Sequence, residues 1–456
     1  MNEIKSDIPV IKTFTYDDEC FLYDTFSNRL FKISKKQYIE IRHLQKIGLT
    51  KYTNLNKNTK AYNDIMMLIN KGLMKKPFIE KVEHPETEYI HNIVERSVNN
   101  LTLQVTRDCN FKCLYCLFAK NNNIGRSHEK LNMSWDIAKK SIDFLFAHSL
   151  DAETLTIAFY GGEPLLNFEL ITNIVEYAEN LYSTKKIIYR MTINGSVLTN
   201  IMIDFMVKYN FLITISLDGS EEIQNRHRKF YETGSGTFHA VYNNIKKIKD
   251  RYETYFLNNV TFMPVVFDDE NYQEMLNFYS NNLGVYENKI IPLDADLSGI
   301  DYTASEVNSK SITDDEKNDG INKKAEEGLK KVYSDKSKIP LKWHHNGQCI
   351  PSIKSIFIDV NGVLYPCEKV IENENLSIGH IENGLNMKKI IDFMNIGRLS
   401  EEECKSCWAM RFCEICMIHC NDIEKNKITS EQKYITCDKQ KYKTLSFFKR
   451  YIKNNS

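Results

Sequence analysis

Hydrophobic and polar positions along the first 85 residues predict a small module that combines a β-hairpin with helices. Two apolar segments within residues 14–33 flank the turn-forming sequence DTFSN, which is the pattern of a hairpin. A capping box at Ser34 predicts a helix through about Leu44. A second helix is predicted over residues 60–70, where apolar side chains recur on one face, and a closing strand over residues 73–82. This combination indicates a winged-helix-like module.

Between about residue 101 and residue 300, strand-like and helix-like patterns alternate. Short apolar runs predict six strands, at residues 101–106, 154–160, 187–193, 211–217, 259–266 and 289–293. Amphipathic segments between them predict helices, among them residues 135–148, 169–181, 201–209 and 238–252. This alternation predicts an α/β region of parallel βα units, in which functional side chains lie at the carboxyl ends of the strands.

Two segments lack a clear hydrophobic period and divide the chain. Residues 86–100 are charged and predict a linker, and residues 301–340 are rich in Asp, Glu, Lys, Ser and Asn and predict a solvated connector. The chain is also too long for one ordinary core. We therefore predict three domains, which comprise residues 1–85, 101–300 and 341–456.

Composition narrows the class of protein. Of the 456 residues, 42% are hydrophobic, and the 60 basic side chains balance the 60 acidic ones, so no global charge attracts nucleic acid or anionic lipid. We find neither an apolar run that could span a bilayer nor a leader-like start, so we expect a cytoplasmic protein with no membrane and no nucleic-acid partner. The 12 cysteines would then favour metal ligation over disulfides, because that compartment is reducing.

Three of these cysteines directly follow the first predicted strand of the alternating region. Cys109, Cys113 and Cys116 have C-x3-C-x2-C spacing on one short loop, so their thiolates can reach a single metal centre. Zinc would usually take a fourth protein ligand nearby. A [4Fe–4S] cluster takes one ligand per iron and would here keep one iron open for a substrate. The spacing alone leaves zinc, a disulfide or coincidence as alternatives.

The cysteine loop resembles that of the radical S-adenosylmethionine (SAM) enzymes, in which an aromatic residue, here Tyr115, usually precedes the last cysteine. The resemblance implies a partial (β/α)6 radical SAM barrel. It also implies a [4Fe–4S] cluster on the three thiolates, with SAM on the fourth iron, and reductive cleavage of SAM to methionine and a 5′-deoxyadenosyl radical. The catalytic residues it implies are Cys109, Cys113, Cys116 and Arg228.

Further motifs that resemble the family follow successive predicted strands. They are the sequence GGEP, the segment ING at the third strand, and SLDG followed by an arginine and GSGTF. Adjacent glycines let backbone approach a ligand closely. By resemblance, these motifs contact the amino group, ribose and carboxylate of SAM. The cofactor-binding residues so implied are Tyr115, Gly161, Gly162, Glu163, Asn194, Ser216, Asp218 and Arg228. Where the family often has His-Asp, this chain has Gln224-Asn225, to which we assign no role.

A second cysteine series near the C-terminus resembles the SPASM domain, which holds two auxiliary [4Fe–4S] clusters. A β-hairpin with an Asn361-Gly362 turn is predicted between the first two cysteines of the series and brings them together. By resemblance, Cys349 and Cys367 begin the first auxiliary cluster. The ligands implied for the second auxiliary cluster are Cys404, Cys407, Cys413 and Cys437.

The series departs from the SPASM pattern at one position. The usual spacing after Cys413 would place a cysteine at Met417, whereas this chain has Cys416 and Cys420 on either side. One or both should complete the first auxiliary cluster, and the smaller offset favours Cys416. If only one of them binds, an iron stays free and could hold a cysteine thiolate of the substrate.

Taken together, the three modules resemble enzymes that mature ribosomally made peptides. The N-terminal module resembles a recognition element that pairs a leader peptide with the edge of its hairpin. Such an enzyme would remove hydrogen from a carbon of the precursor peptide and pass an electron to an auxiliary cluster as a carbon–sulfur bond closes. The resemblance therefore implies a sactipeptide- or ranthipeptide-type thioether synthase, with the precursor peptide and a flavodoxin or ferredoxin donor as partners.

Other functions fit parts of the same sequence. An enzyme of this layout could instead form a carbon–carbon or ether crosslink, epimerise a residue, or make formylglycine as sulfatase maturases do. An iron–sulfur redox protein or a winged-helix transcription regulator is a more distant alternative, because the GGEP and SLDG motifs have no purpose in either.

Overall fold

The computed structural model describes residues 7–76, 79–116, 128–181, 185–266, 269–294, 342–344 and 353–455. Its internal contacts divide the chain into two compact units. The terminal unit comprises residues 1–88, 317–349 and 392–456, and the central unit comprises residues 89–316 and 350–391. The predicted connector and Cys349 lie outside the described residues. None of the helices in the described ranges combines the length and the apolar character that a membrane span requires.

The terminal unit begins with a three-stranded antiparallel sheet and three helices. The strands are β1 (Ile11–Tyr16), β2 (Glu19–Asp24) and β3 (Arg29–Ile33). The helices are α1 (Lys35–Ile47), α2 (Leu49–Thr53) and α3 (Lys60–Asn70). The predicted hairpin corresponds to β2 and β3, and the capping box at Ser34 is present. The winged-helix arrangement stays a prediction.

In the described residues 73–76 and 79–82, the predicted closing strand does not form as one continuous strand. The Leu73 N–H bonds back to the Leu68 carbonyl, and the Met74 N–H donates to the Asp24 carboxylate at 3.0 Å, so this segment turns and buries Met74 instead. In the described part of this segment, the strand that forms is β4 (Lys81–Val82). The side-chain pattern alone could not reveal these local hydrogen bonds.

The central unit is built on a parallel sheet. After α4 (Ile90–Arg96), its strands are β5 (Asn100–Thr106), the short β6 (Phe111–Cys113), β7 (Thr154–Gly161), β8 (Lys186–Ile193), β9 (Leu212–Ile215), the short β10 (Arg228–Phe230) and β11 (Val260–Phe262). The helices between the strands are α5 (Trp135–Ala147), α6 (Phe168–Leu181), α7 (Asn200–Lys208), α8 (Glu221–His227), α9 (Phe238–Arg251) and α10 (Glu253–Asn259). In the sheet, β5, β7, β8, β9 and β11 lie side by side and parallel, as the βα pattern predicts.

The last predicted strands are interrupted. The strand predicted over residues 259–266 divides into β11 and β12 (Val265–Val266), because Pro264 lies between them and has no N–H for a ladder. After α11 (Asp269–Phe278) and a π-helical turn, Tyr279–Leu283, the strand predicted over residues 289–293 reduces to β13 (Leu293–Asp294), which pairs with β12.

Ahead of the second hairpin in the sequence, β14 (Lys342–Trp343) pairs with β4 in the terminal unit.

The predicted second hairpin joins the parallel sheet. β15 (Ser355–Ile358) lies parallel to β5, and β16 (Val363–Tyr365) returns antiparallel to it, so the Asn361-Gly362 turn prediction is confirmed. The short strands β17 (Gly379–His380) and β18 (Gly384–Leu385) extend the sheet, which has nine strands among the described residues. The sequence did not predict this extension, because pairing of β15 with a strand 255 residues earlier depends on the fold.

The C-terminal part of the chain begins with α12 (Met387–Met394) and α13 (Glu401–Lys405). It ends with the hairpin of β19 (Asn421–Asp422) and β20 (Lys427–Ile428), followed by the long helix α14 (Ser430–Asn455). Phe448 of α14 is fully buried, and its ring lies 4.7 Å from that of Tyr23 in β2. The N-terminal sheet and the C-terminal helix therefore share one core within the terminal unit.

Candidate functional site

A short antiparallel ladder anchors the loop that carries the first three cysteines. β6 pairs with β10, and the register sets Cys113 opposite Arg228. Directly beyond the ladder, the Leu114 N–H donates to the His227 carbonyl at 3.0 Å. The loop is therefore held against the end of α8 by backbone hydrogen bonds.

The three thiols of this loop converge. Burial raises the pKa of Cys113 to about 12; the adjacent Arg228 opposes that shift, and negative charge on Cys116 adds to it. Burial also raises the pKa of Cys109, and negative charge on the other two thiols raises it further. Neighbouring thiolates repel one another, and a cationic cluster relieves that repulsion. The donor set therefore fits a [4Fe–4S] cluster with three protein ligands.

Beside this loop, a buried ion pair links two of the predicted SAM-binding residues. Arg228 donates from Nε and Nη2 to the two carboxylate oxygens of Asp218, each at 2.9 Å. The Tyr115 hydroxyl and the Val265 N–H also donate to this carboxylate, both at 2.9 Å. Four donors fill the sites that a carboxylate offers. This geometry favours a positioning role for Asp218, and direct contact of Asp218 or Tyr115 with SAM stays a prediction.

The two glycines of GGEP contact the backbone of the cysteine loop. A Cβ on Gly161 would lie 2.1 Å from the Thr106 carbonyl oxygen, and one on Gly162 would lie 2.2 Å from that of Asp108. The Gly162 N–H donates to the Thr106 carbonyl at 3.1 Å. Any side chain at these positions would push the loop away from β7, so glycine is required here for close approach of two backbone segments.

Glu163 lies fully buried beside the same loop. Its carboxylate accepts hydrogen bonds from the backbone N–H groups of Asn194, at 2.6 Å, and Leu165, at 3.1 Å. Burial raises the pKa of Glu163 to about 7, although both hydrogen bonds oppose the shift. A buried carboxylate close to Cys109 can accept hydrogen bonds from an amino group, as the predicted SAM contact requires.

Asn194 connects the third strand of the sheet to the cysteine loop. Its Nδ2 donates to the side-chain oxygen of Asn110 at 2.8 Å, and its Oδ1 accepts from the Ser196 N–H at 2.9 Å. Asn110 in turn donates to the Ser196 hydroxyl at 2.8 Å. The sequence analysis missed Asn110 and Ser196, although both lie within two residues of motif positions.

Ser216 and Gln224 complete the surroundings of the ion pair. Ser216 directly follows β9 and is half-buried, with its N–H bonded to the Ile193 carbonyl. Gln224 is fully buried, accepts from the Asp218 N–H at 2.8 Å and donates to Thr237 at 3.1 Å. The sequence motif assigns Gln224 no role, yet Gln224 positions the Asp218 backbone.

In the terminal unit, a second group of thiols converges. Its members are Cys404, Cys407, Cys413 and Cys437. Burial raises the pKa of Cys407 to about 11, and negative charge on Cys404 and Cys437 adds to that shift. Within the described residues, no three such side chains have the spacing of a single metal ion. A [4Fe–4S] cluster binds each thiolate at a different iron, so its ligands stand farther apart, and four converging thiols fit it.

Cys416 and Cys420 differ in their surroundings. Cys420 is fully buried, and its thiol bonds to the Cys416 carbonyl at 3.5 Å. The Cys416 thiol is half-buried and lies 3.5 Å from Nδ1 of His419. Cys367 is half-buried and follows β16. The assignment of these three residues and of Cys349 to the first auxiliary cluster stays a prediction.

Part of this chain is similar in sequence to a known family. Residues 103–280 match the family model of the radical SAM superfamily. The radical SAM cyclopropyl synthase TigE of Paramaledivibacter caminithermalis is 24% identical over 55% of this chain and 56% of its own length. A cysteine-type anaerobic sulfatase-maturating enzyme of Clostridium novyi is 31% identical over 35% of this chain and 42% of its own length. The chain thus spans about half the length of the curated relatives it matches.

A solved structure shares the fold. Native anSMEcpe with bound AdoMet superposes with a TM-score of 0.53 and 19% identity, over 78% of this chain and 98% of its own. The partial barrel predicted from the strand pattern is the fold that these two chains share. Residues 103–280 are therefore a domain of the radical SAM superfamily.

Proposed function

We propose that this protein is a radical SAM enzyme that forms thioether crosslinks in a ribosomally made precursor peptide. The observation that carries the proposal is the presence of two separate groups of neighbouring thiols, within each of which the thiols interact electrostatically. One group lies at the carboxyl end of β5, beside Glu163 and Asn194. The other lies in the cysteine-rich end of the chain. Radical generation alone needs only the first group, so the second indicates additional redox chemistry.

In this proposal, Cys109, Cys113 and Cys116 hold the first cluster, and Glu163 accepts hydrogen bonds from the amino group of SAM. Once bound, the cluster and SAM would supply the radical chemistry that takes a hydrogen atom from an unactivated carbon. The chain's own residues keep the site in place. Asp218 and Arg228 fix the cysteine loop through the ladder of β6 and β10, and Asn110 and Asn194 tie that loop to β8.

A peptide substrate is supported by the relatives and by the N-terminal sheet. Several relatives are named as sulfatase-maturating enzymes. Native anSMEcpe has been solved with the Kp18Cys peptide, in a structure that superposes with a TM-score of 0.53. In the described part of the chain, β3 pairs with β2 and no strand covers its outer edge. We propose that the leader of the precursor adds a strand at this edge. A flavodoxin or ferredoxin would supply the electron.

A thioether product is supported by the departure at Cys416 and Cys420. With Cys349, Cys367 and one of these two as ligands, the first auxiliary cluster would keep one iron for a substrate thiolate. The names of the relatives supply the competing outcomes, which are carbon–carbon bond formation, as in a cyclopropyl synthase, and formylglycine formation, as in sulfatase maturation.

Isotope transfer tests whether the peptide is the substrate. We would incubate reconstituted protein with SAM, a reductant and a cysteine-containing precursor peptide encoded next to this gene, prepared with deuterated non-cysteine residues. We expect deuterium in 5′-deoxyadenosine, because the radical takes its hydrogen from a peptide carbon. The triple variant C109A/C113A/C116A is the control and should form no 5′-deoxyadenosine. Cleavage of SAM with no deuterium transfer would contradict attack on a C–H bond of a non-cysteine residue, which the thioether proposal requires.

A further inference from the structure

A fully buried lysine lies among the C-terminal thiols. Lys433 of α14 has 0% exposure. Its Nζ donates to the Cys404 Sγ at 3.2 Å and to the Ser400 hydroxyl, and it lies 3.5 Å from the Gly397 carbonyl oxygen. It also acts electrostatically on the thiols of Cys420 and Cys437. All of these residues belong to the terminal unit.

The charge of Lys433 lacks a counter-charge in the described part of the protein. Its three hydrogen-bond partners there are a thiol, a hydroxyl and a carbonyl, and none of them is a carboxylate. An unpaired ammonium in a protein interior is costly, so buried lysines are normally paired. The groups close to Nζ that become anionic are the thiols, once they bind iron. The position of Lys433 is therefore explained by a negatively charged centre at these cysteines.

The arginine at the SAM site provides a contrast. Arg228 also lies beside a cysteine that we assign to a cluster, but its charge is matched by the bidentate contact with Asp218. The cysteine loop thus gains little net positive charge from that pair. The thiols of the terminal unit, by contrast, have an unmatched positive charge within hydrogen-bond distance of Cys404. The two sites therefore differ in local electrostatics as well as in ligand number.

We propose that Lys433 is an electrostatic positioning residue that binds the Cys404 thiolate and raises the reduction potential of the auxiliary cluster held by Cys404, Cys407, Cys413 and Cys437. The inference rests on the proposed function, since it needs that cluster. Reduction adds one negative charge to the cluster, and a fixed positive charge next to a ligand sulfur stabilises the reduced form. Hydrogen bonds to cluster sulfurs act in the same direction.

A raised potential suits the proposed chemistry. Joining a C–H carbon to an S–H sulfur releases one hydrogen atom, which the radical takes, and then one proton and one electron. An auxiliary cluster of higher potential than the cluster that donates to SAM takes this electron with a larger driving force. We therefore expect the auxiliary cluster next to Lys433 to have a higher midpoint potential than the cluster held by Cys109, Cys113 and Cys116.

The test is a redox titration followed by electron paramagnetic resonance. All variants are made in the C109A/C113A/C116A background, in which only the auxiliary clusters give signals. Adding Cys437→Ala removes one of these signals, and that signal belongs to the cluster held by Cys404, Cys407, Cys413 and Cys437. Lys433→Met removes charge and hydrogen bond, and Lys433→Gln removes the charge but keeps an N–H donor. We expect both to disfavour reduction at least tenfold, which is about 59 mV for a one-electron couple.

Two further variants serve as controls. Lys441 also lies near Cys407 and Cys437, but it is partly exposed and pairs with Asp438 at 3.3 Å, so Lys441→Met should shift the potential much less. Lys433→Arg keeps the positive charge and should keep the potential near that of the parent. If Lys433→Met fails to assemble the cluster, assembly in Lys433→Arg supports the proposal, and loss of the same irons from Lys433→Arg contradicts it.

The outcomes separate the inference from the proposed function. An unchanged midpoint potential in Lys433→Met and Lys433→Gln would overturn the role of Lys433 while leaving the cluster assignment intact. Absence of iron in the background variant, or a signal that Cys437→Ala does not affect, would instead overturn the cluster assignment itself.

Discussion

Arg228 and Asp218 form a buried bidentate ion pair, with both hydrogen bonds at 2.9 Å, directly opposite Cys113 in the ladder that holds the cysteine loop. Ten residues separate the two side chains, and α8 lies between them. Asp218 also accepts hydrogen bonds from Tyr115 and Val265. The pair thus connects the end of β9, the cysteine loop and β12, which makes it the structural centre of the candidate SAM site.

Removing one partner of this ion pair should lower the free energy of unfolding more than removing both partners. In Asp218→Asn, the buried guanidinium of Arg228 loses its counter-charge, and we expect a loss of about 3 to 5 kcal/mol in the free energy of unfolding. Adding Arg228→Met to Asp218→Asn should recover part of the lost free energy of unfolding, because no uncompensated charge remains. Anaerobic denaturant titration of the four proteins in this double-mutant cycle checks the prediction. Strictly additive losses would argue against a coupled pair.

The first three cysteines should account for one third of the bound iron and for all cleavage of SAM. The triple variant C109A/C113A/C116A should hold about eight irons after reconstitution, where the parent holds about twelve, because each [4Fe–4S] cluster contributes four. Iron analysis and detection of 5′-deoxyadenosine give both readouts. Undiminished SAM cleavage in the triple variant would contradict the assignment of the site.

Cys416 and Cys420 should respond differently to substitution. We expect Cys416→Ala to lose the first auxiliary cluster, because its thiol is half-buried and its spacing departs least from the SPASM pattern. Cys420 is fully buried, and Cys420→Ala should retain about twelve irons. Iron content and Mössbauer spectra of the two variants decide between them. The reverse result would assign the ligand to Cys420.

Acid should destabilise the terminal unit through a pair of histidines. His84 and His344 pack with their ring centroids 4.2 Å apart, and burial, with the charge of His84 adding to it, lowers the pKa of His344 from 6.5 to about 4. The folded state thus holds His344 neutral, while the unfolded chain takes up a proton below pH 6.5. The stability that this group contributes is present above pH 6.5 and is lost as the pH falls towards 4.

A substitution isolates this contribution. Urea denaturation of the parent at pH 7.5 and pH 5 should show a larger loss of stability than His344→Phe does over the same range, because phenylalanine takes up no proton. Equal losses in the two proteins would place the acid sensitivity elsewhere.

Sequence reasoning located the cysteines, GGEP and most strands, because these features depend on local spacing. The strands at 101–106 and 154–160 and the helix at 60–70 match the structure closely, since each is bounded by its own caps or turns. The last two strands of the barrel were placed poorly. Pro264 interrupts one of them, and the other has only two residues in its ladder.

The contacts that organise the site were beyond the reach of the sequence. Cys113 lies opposite Arg228 because two strands of three residues each pair in one register. These strands begin at Phe111 and Arg228, which are 117 residues apart in the sequence. Lys433 lies in a helix that is rich in exposed lysines, and its neighbours in the sequence do not distinguish it from them. Burial of one of many lysines is decided by tertiary packing.

The most direct test of the central claim is mass spectrometry of a neighbouring cysteine-containing precursor peptide, co-expressed with this protein and fragmented after thiol alkylation. We predict a loss of two hydrogens per crosslink, with the matching cysteines resistant to alkylation and the acceptor carbons located by the fragments. An unchanged mass, or a loss of two hydrogens with every thiol still open to alkylation, would contradict thioether formation.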